Sequence, residues 1–177
     1  MIDKKTLWEK AAAFHGHVCP GLTIGFRAAL YAIDLLGITF SEDEQLVCIT
    51  ENDACGVDAI QAVLGCSVGK GNLLFHMTGK QAFSFYNRKS GKSVRLVLKK
   101  PVSEMNREEA LKYYTDCKQE EMFIVKETKI EVPEHARIFE SYTCECCGES
   151  TGANWIRIFE GKKLCTDCYK KYDRFNV

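Results

Sequence analysis

The densest group of side chains that could bind a metal or act as a nucleophile lies near the start of the chain, in the segment HGHVCPG, residues 15–21. This segment contains two imidazoles, His15 and His17, and one thiol, Cys19. Imidazole and thiolate are ligands that proteins use for zinc and related divalent metals. A thiolate beside an imidazole can also act as a nucleophile without a metal. The segment therefore predicts one of two chemistries, a metal site or a thiolate nucleophile.

A second thiol, Cys55, lies in the segment NDACGVD, where it shares one face of a predicted helix with Asp58. Cys19 and Cys55 both fall at predicted helix starts, where the helix dipole stabilises a thiolate. We expect Cys19, Cys55 and His17 to converge as the catalytic residues, with a metal position left open for substrate or water. His15 and Asp58 are expected to line the same pocket. The alternative is a buried cysteine with capping or core histidines.

The glycine-rich segment GCSVGKGN, residues 65–72, superficially resembles a phosphate-binding loop. It departs from that pattern because its lysine is not followed by Ser or Thr at the start of a helix. We interpret the segment as a turn that ends a helix. Its backbone amides and Lys70 are nevertheless candidates for holding an anion in the predicted pocket.

Four cysteines in the tail of the chain have the spacing of metal ligands, as Cys144-x-x-Cys147 and Cys165-x-x-Cys168 with 17 residues between the pairs. Two such pairs supply four thiolates to a tetrahedral zinc, which is then structural because no position stays open. A hairpin between the pairs and a helix after Cys165 would give the order of a treble-clef zinc finger. Free buried thiols or disulfides are the alternative. Cys146 would break the spacing and is left out of the ligand set.

The hydrophobic pattern predicts an α+β fold, with helices packed on a largely antiparallel sheet and followed by the small treble-clef domain. Helices are predicted over residues 4–15, 20–36, 54–64 and 106–116. Strands are predicted over residues 45–51, 73–78, 82–88, 94–98 and 122–132. The predicted domains are an α+β domain over residues 1–132, a linker over 133–141 and a four-cysteine zinc finger over 142–177.

The composition of the 177 residues argues against several functional classes. Lys+Arg and Asp+Glu number 24 each, and this zero net charge argues against a nucleic-acid partner. No apolar run approaches the roughly 18 residues that a membrane-spanning helix needs. The first ten residues lack the apolar stretch of a secretory signal, so we expect a cytoplasmic protein. Reduced thiols are the rule there, and ten cysteines in such a compartment favour metal or thiolate chemistry.

Three ordered motifs, FHGHVCPGLTIGFRAA, ENDACGVDAIQAVLGCSVGKGNL and CECCGE…LCTDCY, resemble the FmdE family, which takes its name from one component of formylmethanofuran dehydrogenase. The resemblance covers nearly the whole chain. The family motifs map onto residues 15–20, 55–58 and 65–71 and onto the four tail cysteines. The resemblance implies an α+β domain with a cysteine-lined cavity, a homodimer, and an association with a molybdenum- or tungsten-dependent redox enzyme.

The function predicted from these features is that of a metal-binding protein of the FmdE type. It would be a one-carbon or redox enzyme, or an accessory subunit of one, with a structural zinc in the tail and a second divalent metal in the N-terminal domain. The alternative is an interaction or regulatory module without catalysis, whose zinc finger contacts a partner protein. A third reading is delivery or storage of metal for a molybdenum enzyme.

Overall fold

The computed structural model describes residues 3–100, 104–132, 135, 137–172 and 174, and the chain divides into two compact units, residues 1–136 and 137–177. The helices of the first unit are α1 (Lys4–His15), α2 (Pro20–Leu36), α3 (Gly56–Leu64), α4 (Arg107–Asp116) and α5 (Gln119–Met122). Its strands are β1 (Leu46–Thr50), β2 (Leu73–Phe75), β3 (Ala82–Asn87), β4 (Ser93–Leu98) and β5 (Phe123–Lys126). Across the described part of the chain, none of the helices combines the length and apolar character needed to span a membrane.

Local capping determines where the first two helices begin and end. The side chain of Asp3 accepts a hydrogen bond from the Lys5 amide at the start of α1, and Gly16 ends this helix with a φ of 87°. Pro20 opens α2, where its missing N–H costs nothing because the first helical amides have no partner within the helix. The bounds predicted for both helices are confirmed. The turn between them carries the His/Cys segment.

Helix α2 lies at the centre of the first unit, since 12 of its 17 residues are buried. Helix α3 packs against it at unusually short range. An ideal Cβ built on Gly25 would lie 2.0 Å from the carbonyl oxygen of Gly56, so only glycine permits this approach. The close packing determines how the N-terminus of α2, which carries Cys19, lies relative to that of α3, which carries Cys55.

The five strands form one sheet in the order β2-β1-β3-β4-β5. The β1–β2 pair is parallel and the other three pairs are antiparallel, which confirms the largely antiparallel sheet. Strand β2 runs parallel to β1 because α3 carries the chain back between them. The strand predicted over 122–132 is only four residues long, because Met122 belongs to α5 and polar residues follow Lys126.

A buried ion pair braces the segment between β1 and Cys55. Arg95 Nε lies 2.6 Å from Glu51 Oε1, Arg95 Nη2 lies 3.0 Å from Glu51 Oε2, and the Thr78 hydroxyl donates to Oε2 at 2.9 Å. The hydrogen bond from Arg95 is the main cause that lowers the pKa of Glu51. Charge-assisted bonds of this kind offset the desolvation of a carboxylate whose side chain is only 5% exposed.

The second unit consists of two short hairpins. Strand β6 (Ser141–Thr143) pairs with β7 (Ser150–Gly152), a 3₁₀ turn covers Ala153–Trp155, and β8 (Ile156–Phe159) pairs with β9 (Lys162–Cys165). The hairpin predicted between the two cysteine pairs is thus present.

The helix predicted after Cys165 is wrong for residues 166–172, where the chain makes one turn and then continues without helical structure. The amides of Cys168 and Tyr169 both donate to the carbonyl of Cys165, at 3.1 and 2.9 Å. The residues that follow bury no apolar stripe, and Tyr172 is 71% exposed. A helix this short is marginal without such burial. The treble-clef order therefore lacks its helix over the described residues.

Candidate metal and thiol sites

Cys19 caps the N-terminus of α2 with its thiol. The Leu22 amide donates to Cys19 Sγ at 3.3 Å, and the Cys19 residue is only 5% exposed. Burial alone would raise the pKa of the Cys19 thiol, but the Leu22 amide, the Cys55 side chain and His15 outweigh it, so the pKa is lowered. The free amides at a helix start thus favour the thiolate that a metal or an electrophile would need.

His15, the last residue of α1, connects Cys19 with Asp58 on α3. His15 Nε2 lies 3.7 Å from Cys19 Sγ, and His15 Nδ1 lies 2.7 Å from Asp58 Oδ2. The hydrogen bond to Asp58 is the main cause that raises the pKa of His15. A carboxylate on one ring nitrogen orients the other toward the sulfur. Metal-binding histidines are held in this way, and so is the base beside a nucleophilic cysteine.

His17 completes a group of three ligand-type side chains. One ligand atom from each of His15, His17 and Cys19 lies within 4.8 Å of the others, and the two imidazole centroids are 4.5 Å apart. Metal–nitrogen and metal–sulfur distances of about 2.0 and 2.3 Å in a tetrahedral site place the two donors about 3.6 Å apart. The Cys19–His15 distance of 3.7 Å fits that value. The donor set therefore suits a zinc-type ion with one position left over.

Cys55 lies beside this group, on the neighbouring helix. An ideal Cβ on Gly21 would lie 3.1 Å from Cys55 Cβ, 3.6 Å from Cys55 Sγ and 3.9 Å from Cys19 Sγ. The two thiols are hydrogen-bonding partners. Burial, followed by the neighbouring Cys19 side chain, raises the pKa of the Cys55 thiol. The structure thus brings together five of the six residues predicted for this pocket: His15, His17, Cys19, Cys55 and Asp58.

Lys70, the sixth residue, makes its contacts elsewhere. Its ammonium donates to the carbonyl of Ser41 at 2.7 Å and to that of Glu42 at 3.3 Å. Gly65 ends α3 just before this turn with a φ of 71°. The contacts of Lys70 therefore tie the turn to the segment before β1.

The four tail cysteines form the second cluster. The sulfur atoms of Cys144, Cys147, Cys165 and Cys168 all lie within 4.8 Å of one another, and Cys147 Sγ is 3.9 Å from Cys165 Sγ. Four thiolates at about 2.3 Å from a tetrahedral zinc lie about 3.8 Å apart, so the spacing fits a metal ion. The amides of Cys147, Cys165 and Cys146 lower the pKa of Cys144 to about 6. The cluster can therefore bind a metal through protein sulfur alone.

Two glycines that hold the first site together were not among the residues predicted for it. Gly21 and Gly25 are one helical turn apart on α2 and face Cys55 and Gly56 at distances that a side chain would not allow. The signal was present as the spacing GLTIG, which places two small residues on one face of a helix. Small residues at this spacing let two helices approach closely.

Residues 14–141 match the sequence profile of a family described as FmdE, molybdenum formylmethanofuran dehydrogenase operon. The match covers more than half of the chain and includes every residue of the first cluster. The chain therefore belongs to the FmdE family, and the resemblance seen in its motifs is confirmed.

Two particular proteins are similar to this chain. One is an FmdE-like protein of tungsten formylmethanofuran dehydrogenase from Syntrophus aciditrophicus, whose crystal structure matches with a TM-score of 0.64, 25% identity, and coverage of 94% of this chain and 92% of that one. The other, from Archaeoglobus fulgidus, is named a probable S-adenosyl-L-methionine-binding protein and is 30% identical over 195 aligned residues, 92% of this chain and 52% of the relative. The chain spans about half the length of that curated relative.

Proposed function

We propose that this chain is a metal-binding component of a formylmethanofuran dehydrogenase-related one-carbon system, acting as an enzyme or an accessory subunit. One observation carries the proposal: ligand atoms of His15, His17 and Cys19 lie within 4.8 Å of one another, beside a carboxylate that orients His15. The description of the family and that of the Syntrophus protein support the link to this enzyme system. We further propose a cytoplasmic homodimer.

Each residue of the first cluster has a distinct role in this proposal. Cys19 and the two histidines hold the metal, and Asp58 accepts the Nδ1 proton of His15 so that Nε2 faces the metal. Cys55 stands beside Cys19, where it can complete the ligand set or face a substrate. A divalent metal in such a site supplies a Lewis acid at its open position.

The tail metal is proposed to be zinc with a purely structural role. Among the described residues of the second unit, only Cys144 and Leu164 are buried, so this unit has almost no apolar core of its own. Metal binding contributes about 10–16 kcal/mol in zinc-finger peptides, enough to stabilise a unit that burial cannot. A zinc held by four thiolates leaves no position for substrate.

Metal analysis of the purified full chain tests this proposal. We expect two metal equivalents in the wild type and one in a His17→Ala, Cys19→Ser double variant. Serine is a good N-cap, so this change preserves the start of α2. His76→Ala is the matched control because His76 is an exposed histidine that is not part of either cluster. One equivalent in all three proteins would contradict the proposal.

A second candidate function is binding of S-adenosyl-L-methionine, which the name of the Archaeoglobus relative suggests. A cavity of about 520 Å³ in the first unit favours it. Trp8, Phe26 and Leu30 form an apolar wall suited to a purine ring, and the carboxylates of Asp116 and Glu120 stand at its edge, where they suit an ammonium group or ribose hydroxyls.

Tryptophan fluorescence tests this second candidate. We expect S-adenosyl-L-methionine to change the emission saturably in the wild type and in Trp155→Phe, but not in Trp8→Phe, because only Trp8 lines the cavity. No saturable change in the wild type would assign the ligand to the part of the relative that this chain does not match.

A further inference from the structure

Cys19 and Cys55 form a pair of thiols as well as parts of a metal site. They come from the starts of two different helices, 36 positions apart in the sequence, yet their side chains are hydrogen-bonding partners. The second residue of α2 bridges them, since an ideal Cβ on Gly21 would lie within 3.9 Å of both sulfur atoms. Two sulfurs held this close can join without unfolding either helix.

The packing around this pair is rigid on the protein side. The backbones of Gly25 and Gly56 are in direct contact, which leaves the two helix starts little freedom to separate. On the other side the pair is accessible, because Cys55 is only half buried while Cys19 is buried beneath it. A small reagent can therefore reach the sulfur of Cys55, and only Cys19 waits behind it.

We propose that Cys19 and Cys55 undergo reversible dithiol–disulfide exchange with low-molecular-weight disulfides. This activity goes beyond the proposed metal function and does not require a metal, although it uses one of the proposed metal ligands. It would make the N-terminal unit a two-electron redox centre.

The exchange proceeds in two balanced steps. The Cys55 thiolate attacks one sulfur of the incoming disulfide, which breaks its S–S bond, forms a mixed disulfide on Cys55 and releases the first thiol. Cys19 then transfers its proton to His15 Nε2, 3.7 Å away, and attacks Cys55 Sγ. The Cys19–Cys55 bond forms and the second thiolate leaves with the proton from His15. Two protein thiols are oxidised and one small disulfide is reduced to two thiols.

The remaining cysteines of the first unit lack this combination of a partner and access. Cys48 and Cys66 are close enough to influence each other electrostatically, but both are completely buried, so a dissolved disulfide cannot reach either sulfur. Cys117 is half buried and accessible, and its pKa is perturbed by burial and by charged neighbours, with no thiol among the causes. This makes Cys117 the matched control.

Peptide mapping of the full chain after reaction with oxidised glutathione tests the proposal. The reaction is run on the protein as purified and again after exposure to EDTA, so that a bound metal cannot mask the thiols. We expect a linked pair of peptides that contain Cys19 and Cys55, with the loss of two hydrogen atoms. In Cys19→Ser the reaction should stop with glutathione retained on Cys55, while Cys117→Ser should give the linked pair at the wild-type level.

A wild-type protein in which Cys55 keeps its glutathione, or stays unmodified after EDTA, would overturn the proposal. So would a linked pair no more abundant than one between Cys48 and Cys66. Metal content measured on the same reduced samples separates this result from the metal function. Linked peptides without an N-terminal metal would leave the exchange standing and remove the metal proposal, and the opposite result would do the reverse.

Discussion

Replacing Gly25 by alanine tests the close approach of α2 and α3, on which the first cluster depends. The added Cβ would lie 2.0 Å from the carbonyl oxygen of Gly56 and 2.4 Å from its Cα, where ordinary contacts are 3.4 Å or longer. Both neighbours are backbone atoms, so the helices themselves must separate by roughly 1 Å or more. In an unhindered helix the same substitution would stabilise by about 1 kcal/mol.

The expected result is a net destabilisation of about 3 kcal/mol, at the upper end of the cost of overpacking. Urea unfolding followed by circular dichroism measures it. With a slope of about 2 kcal/mol per molar, the midpoint should fall by about 1.5 M.

Gly69→Ala is the matched control, because an ideal Cβ at that position would have no neighbour within 4 Å. This variant should stay within about 0.5 kcal/mol of the wild type. The same samples report on the site, since Gly25→Ala should also reduce the yield of the Cys19–Cys55 link. Equal midpoints for the two alanine variants would refute the close packing of the two helices as the cause.

Three further predictions concern other parts of the chain. Arg95→Met should lower the unfolding free energy at pH 7 by about 3–5 kcal/mol, because it leaves Glu51 buried without its partner. Since the ion pair lowers the folded-state pKa of Glu51, its stabilisation is present above the unfolded value near 4.5 and is lost as the pH falls through the folded value. Urea titrations at neutral and acidic pH should therefore show the difference between the two proteins narrow toward acid, and a constant difference would contradict this. Asp58→Asn should weaken N-terminal metal binding about 10–100-fold in a competition titration, with all three metal-binding side chains kept, whereas unchanged affinity would show that the carboxylate does not orient the site. Cys147→Ser should lose the tail metal and Cys146→Ser should retain it, as measured by metal content, and the reverse pattern would exchange their roles.

The parts of the fold that could be predicted well from the sequence are those set by local chemistry. Proline at a helix start and glycine at a helix end define the limits of α1 and α2 within a few residues of chain. The elements predicted poorly depend on burial supplied by distant parts of the chain. The strand that begins at Phe123 is short because its partner β4 ends its pairing there, and the segment after Cys165 finds no apolar surface that would support a helix.

The candidate site shows the same limit. The types and spacing of the segment around Cys19 and of the segment around Cys55 indicated two reactive regions. The sequence could not show that His15 lies between Cys19 and Asp58, since that hydrogen bond joins residues 43 positions apart. It depends on how α3 packs against α1 and α2. The ion pair that braces the approach to Cys55 gave no sequence signal either, because its two members lie on different strands or strand ends of the sheet.

The most direct test of the central claim is a crystal structure of the full chain, grown without added metal and measured on both sides of the absorption edge of the metal found by elemental analysis. We expect two anomalous peaks. One would lie about 2.0–2.3 Å from His15 Nε2, a ring nitrogen of His17 and Cys19 Sγ, and the other would lie among the four tail sulfurs. A single peak in the tail, with no metal density between the two histidines and Cys19, would contradict the claim.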